Sequence, residues 1–204
     1  MRILFQGDSI TDCGRDRNDF HGLGNGYVKK IKDFNAGLEV LNRGISGDRV
    51  ADLKARWDED CIKLKPDVLS VLIGVNDAWR IIDSGAECDY ENFHIKYHSI
   101  LTYTKKELPK TKIVILEPFL FKIGAGNLEF RKLLDKNIDI IRDIAREFAD
   151  VYIPLDGILQ SYRIHHNDEK LIPDGVHPSD LGHSILATEV IETLRKGKLL
   201  PLKK

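Results

Sequence analysis

The chain has 204 residues, 42% of them hydrophobic and 31% charged, and its formal net charge is −1. This length is enough for one domain, 1–204, with its own core, and the balanced charge leaves no footprint for nucleic acid or an anionic membrane surface. No apolar run approaches the roughly 20 residues needed to span a bilayer.

The first strand is expected in "RILFQ" (2–6), directly after Met1 and with no secretory leader ahead of it. It stops abruptly at Gly7, Asp8 and Ser9. "GYVKKIKDFNAG" (26–37) has helical spacing through Val28, Ile31 and Phe34, with Gly37 suited to its stop. A second strand follows in "LEVLN" (38–42). "VADLKARWDEDCIKLK" (50–65) sets Val50, Leu53, Trp57, Cys61 and Leu64 on one helical face. "DVLSVLIG" (67–74) is the third strand, and "YENFHIKYHSILTYTKKEL" (90–108) the long helix after it. "KIVILEP" (112–118), the helix of 128–149 and "DVYIPL" (150–155) continue the alternation. The last helix spans 179–197, opening on a Ser179 cap and ending at Gly197. The lysine-rich tail, 195–204, is expected to be a solvated end. The path of 156–172 is left open.

Near-continuous apolar strands alternating with helices indicate a parallel sheet covered on both faces. Five of them fit a flavodoxin-like three-layer α/β/α sandwich with strand order 2-1-3-4-5. In such folds ligands bind beyond the carboxyl ends of the strands, where the strand order reverses. The segments after strands 1, 2 and 3 should therefore be neighbours: "GDSITD" (7–12), "RGISGDRV" (43–50) and "GVNDAWR" (74–80).

Ser9 alone also reads as a turn residue or helix cap. As a nucleophile it needs a base, and the base needs a group to orient it. "PDGVHPSDLGHS" (173–184) supplies His177 and Asp174, three residues apart, so the carboxylate can reach Nδ1 of the same imidazole. A developing oxyanion needs donors. The backbone N–H groups of Ser9 and Gly47 and the side-chain amide of Asn76 are the candidates. Gly47 otherwise reads as a turn glycine and Asn76 as a helix cap.

"GDSITD", "GISGDRV", "GVND" and "DGVHP" resemble, in order, the four signature blocks of the SGNH hydrolases, the GDSL esterase/lipase family. The likeness covers residues 7–178 and departs only in Ile10, where the family name expects leucine. It implies Ser9, Asp174 and His177 as the catalytic set and Ser9, Gly47 and Asn76 as the oxyanion hole. A narrower likeness, in "GDSITDCGR", "LGNGYV", "DLKARWDED" and "IGVNDAWR", is to the intracellular acetylxylan esterase branch. That likeness implies a small acetylated saccharide as substrate and assembly into a homo-oligomer.

Trp79 and Arg80 can form a sugar-binding wall or simply pack on and cover a helix. Asp12 and Arg15 can line the mouth of the site or form a surface ion pair. Three cysteines without CxxC spacing (Cys13, Cys61, Cys88) suggest neither disulfides nor zinc, and a reducing cytoplasm is the expected compartment. Cys13 is read as a small buried filler. His165, His166 and His183 lack the spacing of a ligand set, so no metal and no cofactor is expected. His183 is expected on a helix surface or packed near the site.

The resulting expectation is a serine esterase acting through an acyl-enzyme. A thioesterase or lysophospholipase shares the same residues. A nucleotide- or flavin-binding module would place phosphate against the carboxylates of "GDSITDCGRDRND", and an idle carbohydrate-binding protein would have no use for Ser9, Asp174 and His177 together.

Overall fold

A computed structural model describes residues 1–200; the end of the lysine-rich tail, 201–204, lies outside the described residues. Five strands, β1 (Arg2–Gly7), β2 (Glu39–Asn42), β3 (Val68–Leu72), β4 (Lys112–Leu116) and β5 (Val151–Ile153), form one parallel sheet in the order β2-β1-β3-β4-β5. The order is the expected 2-1-3-4-5. The register places Leu4 beside Leu41 and Leu69, and Ile3 beside Val40 and Val68.

The pleat then separates two cores. Ile3 and Phe5 pack on one face with Tyr27 and Ile31 of α2 (Tyr27–Phe34) and Leu186 and Val190 of α9 (Asp180–Lys196). Leu4 packs on the other face with Leu53 of α3 (Val50–Ala55), Tyr97 of α5 (Tyr90–Glu107) and Ile141 of α6 (Leu128–Phe148). These side chains are essentially fully buried. Each stabilises the fold by about 1.5–3 kcal/mol relative to exposure.

Local signals set the helix starts. Ser179 Oγ accepts the N–H of Gly182 at 3.1 Å, so the expected cap forms. Several details differ from the sequence reading. Phe34 is the last residue of α2 and 65% exposed; Tyr27, Val28 and Ile31 make the buried stripe. The expected helix over 50–65 is α3 followed by a π-helical turn, Asp58–Ile62, with Trp57 and Cys61 still buried. The third strand ends at Leu72, and Val75 already opens α4 (Val75–Ser84).

The open stretch 156–172 contains α7 (Leu155–Tyr162) and the short α8 (Asp168–Leu171), which lead into the loop of Asp174 and His177. A further short turn, α1 (Ser9–Asp12), follows β1. No helix among the described residues is long and apolar enough to cross a membrane.

Candidate active site

The site begins with the stop at Gly7. A Cβ there would lie 2.4 Å from the carbonyl oxygen of Leu72 and 2.4 Å from Thr11 Oγ1, so only glycine lets β1 run this close to β3 and turn. Asp8 caps the turn, accepting the N–H of Ile10 at 3.0 Å. Ser9 is thereby set at the carboxyl edge, half-buried.

Ser9 Oγ lies 2.9 Å from His177 Nε2, and His177 Nδ1 lies 2.6 Å from Asp174 Oδ2. The other Asp174 oxygen accepts the N–H groups of His177 at 2.7 Å and Val176 at 2.9 Å. Burial acts to raise the pKa of Asp174. The hydrogen bonds from the His177 ring, its N–H and Val176 outweigh burial and hold the carboxylate below its ordinary range. An imidazole between a hydroxyl and an anchored carboxylate can take the hydroxyl proton and share the resulting charge.

The loop bearing Asp174 and His177 rests on a segment that the sequence reading did not single out. Phe121 N–H donates to Gly175 O at 2.8 Å, and Ala125 N–H donates to Asp174 O at 2.9 Å. Gly175 has φ +88°, and a Cβ there would lie 2.3 Å from Ile123 O. The two glycines of "KIGAGN" (122–127), next to no helical or strand periodicity, were the available signal.

The segment after β2 and the first turn of α4 are tied to each other. Gly47 has φ +88° and open space where a Cβ would sit, so its backbone conformation rather than crowding calls for glycine. Asn76 lies inside the first turn of α4, after Gly74 rather than at the cap, and its Nδ2 donates to Asp48 O at 3.0 Å. Asp77 accepts the N–H of Val50 at 3.2 Å, a second tie between these segments.

Two carboxyls here are buried without a bonded cation. Burial foremost, with Asp77 and Asp48 nearby, raises Asp8 to about 7 against the opposing bond from Ile10. Asp8 Oδ2 has no hydrogen-bond partner among the described residues. Burial likewise raises Asp77 to about 7 despite the bond from Val50.

The four residues proposed around the mouth separate into different roles. Asp12 does not form the expected surface ion pair with Arg15: it is 4% exposed, and it accepts Ser46 N–H at 2.9 Å and the backbone N–H of Arg15 at 3.1 Å. Its short side chain sits under the mouth and ties the Ser9 turn to the Gly47 loop. The cation on it is Arg17, which the sequence reading passed over. Arg15 turns its Nε to Gly44 O at 2.8 Å.

Trp79 packs on Phe130, 5.7 Å between ring centroids, and lies 6.0 Å from the His177 ring. Arg80 pairs with Asp83 and lies over Trp79. An open cleft of about 480 Å³ has Ser9, Asp12, Arg15, Arg17 and Ser46 in its wall.

Cys13 is half-buried with φ +40°, its Sγ 3.3 Å from His183 Nε2. His183 is buried beside the site rather than on a helix surface, and accepts Tyr27 N–H at 3.2 Å. Burial, then Lys30, lowers its pKa to about 4, so it is neutral. Its Nδ1 accepts, so Nε2 carries the hydrogen toward Cys13. His165 and His166 are exposed on the turn after α7.

A doubly wound parallel sheet with a hydrogen-bonded serine, histidine and aspartate beyond the carboxyl end of β1 is an arrangement suited to ester hydrolysis of the SGNH type. The chain belongs to the GDSL-like Lipase/Acylhydrolase family, whose model matches residues 5–185. It is 35% identical to an acetylxylan esterase of Geobacillus stearothermophilus over 91% of this chain and 90% of that one. It is also 25% identical to an isoamyl acetate-hydrolyzing esterase of Schizosaccharomyces pombe, over 98% and 78% of the two chains. Among solved structures, a GDSL-like lipase from Parabacteroides merdae superposes with TM-score 0.87 at 35% identity, covering 94% of each chain. A catalytic mutant of the Geobacillus acetylxylan esterase superposes with TM-score 0.83 at 33% identity, covering 95% of this chain and 93% of that one. Catalytic mutants of that enzyme replace a serine, an aspartate or a histidine.

Proposed function

We propose that this esterase removes acetyl groups from xylo-oligosaccharides or related short carbohydrates through an acyl-enzyme on Ser9. The observation that carries the mechanism is the unbroken chain from Ser9 Oγ through His177 to Asp174, at 2.9 and 2.6 Å. Support for the substrate class comes from the polar lining of the cleft and from the acetylxylan esterase relative.

Ser9 Oγ attacks the acetyl carbonyl carbon as its proton passes to His177 Nε2. The carbonyl oxygen becomes an oxyanion held by the N–H groups of Ser9 and Gly47 and by Asn76 Nδ2. Asp174 stabilises the imidazolium. Collapse of the intermediate breaks the bond to the sugar oxygen, which takes the proton from His177. A water then gives a proton to His177 and adds to the acyl carbon. The second intermediate releases acetate, and Ser9 recovers its proton.

We extend the reading to a cytoplasmic homo-oligomer that needs no cofactor. Three free cysteines suit a reducing compartment. Sedimentation equilibrium of the purified chain tests the assembly, and a monomer at every concentration would refute it.

The test of function is acetate release from an aryl acetate and from acetylated xylobiose by the wild type and Ser9→Ala. The reading expects release from both substrates and a loss of about 10⁴-fold or more in the variant. Equal activity of the two proteins removes Ser9 from the mechanism. Hydrolysis of long-chain acyl esters alone would keep the mechanism and reject the carbohydrate.

A further inference from the structure

We propose that Arg17, braced on Asp12, binds the hydroxyl groups of the sugar leaving group and so sets the preference for carbohydrate esters. The inference rests on the deacetylase reading and adds a specificity residue to it.

The cleft beside Ser9 is far larger than an acetyl group, and carboxylate, guanidinium and hydroxyl side chains make most of its wall, with Cys13 and Gly14 between them. Such a lining favours a hydroxylated leaving group over an alkyl chain, because each buried hydroxyl needs a partner. Two cations stand in that wall. Arg15 also makes one side-chain bond, from Nε to Gly44 O at 2.8 Å, but it is the less exposed of the two and lies against the backbone of the loop after β2. Arg17 makes one bond, from Nη2 to Asp12 Oδ2 at 2.6 Å, and its side chain is 50% exposed while that of Asp12 is 5% exposed. A guanidinium has five N–H donors, and the remaining ones of Arg17 have no protein partner among the described residues.

Asp12 makes this a built position rather than a loose surface side chain. The same carboxylate holds Ser46 N–H at 2.9 Å, and Ser46 precedes Gly47. The brace of Arg17 and the oxyanion loop therefore share one anchor. The planar fork presents two parallel N–H groups, which match neighbouring hydroxyl oxygens of a sugar ring; an ammonium in its place is a point charge without that match.

Arg17→Lys keeps a cation for Asp12 and removes the fork, while Arg17→Ala removes both. For each, kcat/KM is measured on acetylated xylobiose and on an aryl acetate, alongside the wild type. The expected result is a fall of about tenfold in the ratio of the two values in both variants, carried mainly by KM on the sugar. A purely structural role through Asp12 lowers both substrates alike, so an unchanged ratio overturns the proposal. Wild-type hydrolysis of the aryl acetate without the sugar ester overturns the carbohydrate reading and the proposal together. Wild-type hydrolysis of both, with the ratio kept in Arg17→Lys and Arg17→Ala, overturns the proposal alone.

Discussion

Asn76 donates its side-chain amide to the carbonyl of Asp48 at 3.0 Å, so the loop after β2 and the helix after β3 are joined. One Nδ2 proton is used in this bond, and the proposed mechanism assigns the other to the oxyanion. The bond prevents the amide from rotating away, which is what a preorganised donor requires.

Replacing Asn76 with alanine removes that donor and the tie to Asp48 at once. The expected result is a fall in kcat of roughly 10²–10³-fold with little change in KM, since the donor acts on charge that develops in the transition state. Steady-state kinetics on an aryl acetate checks it. A change in KM alone would assign Asn76 to ground-state binding.

Asp174→Asn separates orientation from folding. The asparagine oxygen can still accept the N–H groups of His177 and Val176, so the loop should keep its shape. Its amide would face His177 Nδ1 and force the hydrogen onto Nε2, where the ring can no longer accept from Ser9. A loss of about 10⁴-fold in kcat with a nearly unchanged melting temperature is expected.

Gly175→Ala tests the buttress beneath the same loop. The new methyl would meet Ile123 O at 2.3 Å and Phe121 O at 2.7 Å, at a backbone angle of φ +88°. A destabilisation of about 1–3 kcal/mol is expected from the strained conformation, together with reduced kcat as His177 shifts from Ser9. Urea unfolding and steady-state kinetics read the two effects. An unperturbed kcat would show that the 121–126 segment does not position His177.

Asp8 makes stability depend on pH in a defined direction. Its carboxyl ionises at 3.8 in the ordinary case and at about 7 in the folded protein, so the folded state holds the proton more tightly. That contribution is fully present below 3.8, is lost as pH rises toward about 7 and levels off above it. Asp77 adds in the same sense. Asp8→Asn keeps an acceptor for Ile10 N–H and cannot ionise, so its unfolding free energy should fall less than that of the wild type between pH 5 and pH 8, by on the order of a few kcal/mol. Urea unfolding at both pH values measures the difference, and parallel slopes for the two proteins would show that Asp8 ionises normally.

The strands, their parallel arrangement and the edge that carries the site were legible in the sequence, because burial on both faces writes continuous apolar runs and the helices between them write their own period. The hydrogen-bonded Ser9, Asp174 and His177 were legible for a related reason: each stands in a short block whose glycines break a strand or open a turn. Such information is local, and a run of six or eight residues carries it whole.

The partnerships among distant side chains were decided by the tertiary structure. Nothing near Asp12 in the chain shows that it is buried and holds Ser46, and nothing in 156–172 shows that α7 and α8 carry His177 back to within 2.9 Å of Ser9. The resting of the Asp174 loop on 121–126 is likewise a contact between segments about fifty residues apart. Composition and periodicity determine which face a residue presents. Which donor meets which acceptor depends on how two independently formed loops approach, and that is set only when the sheet and both helical layers have packed.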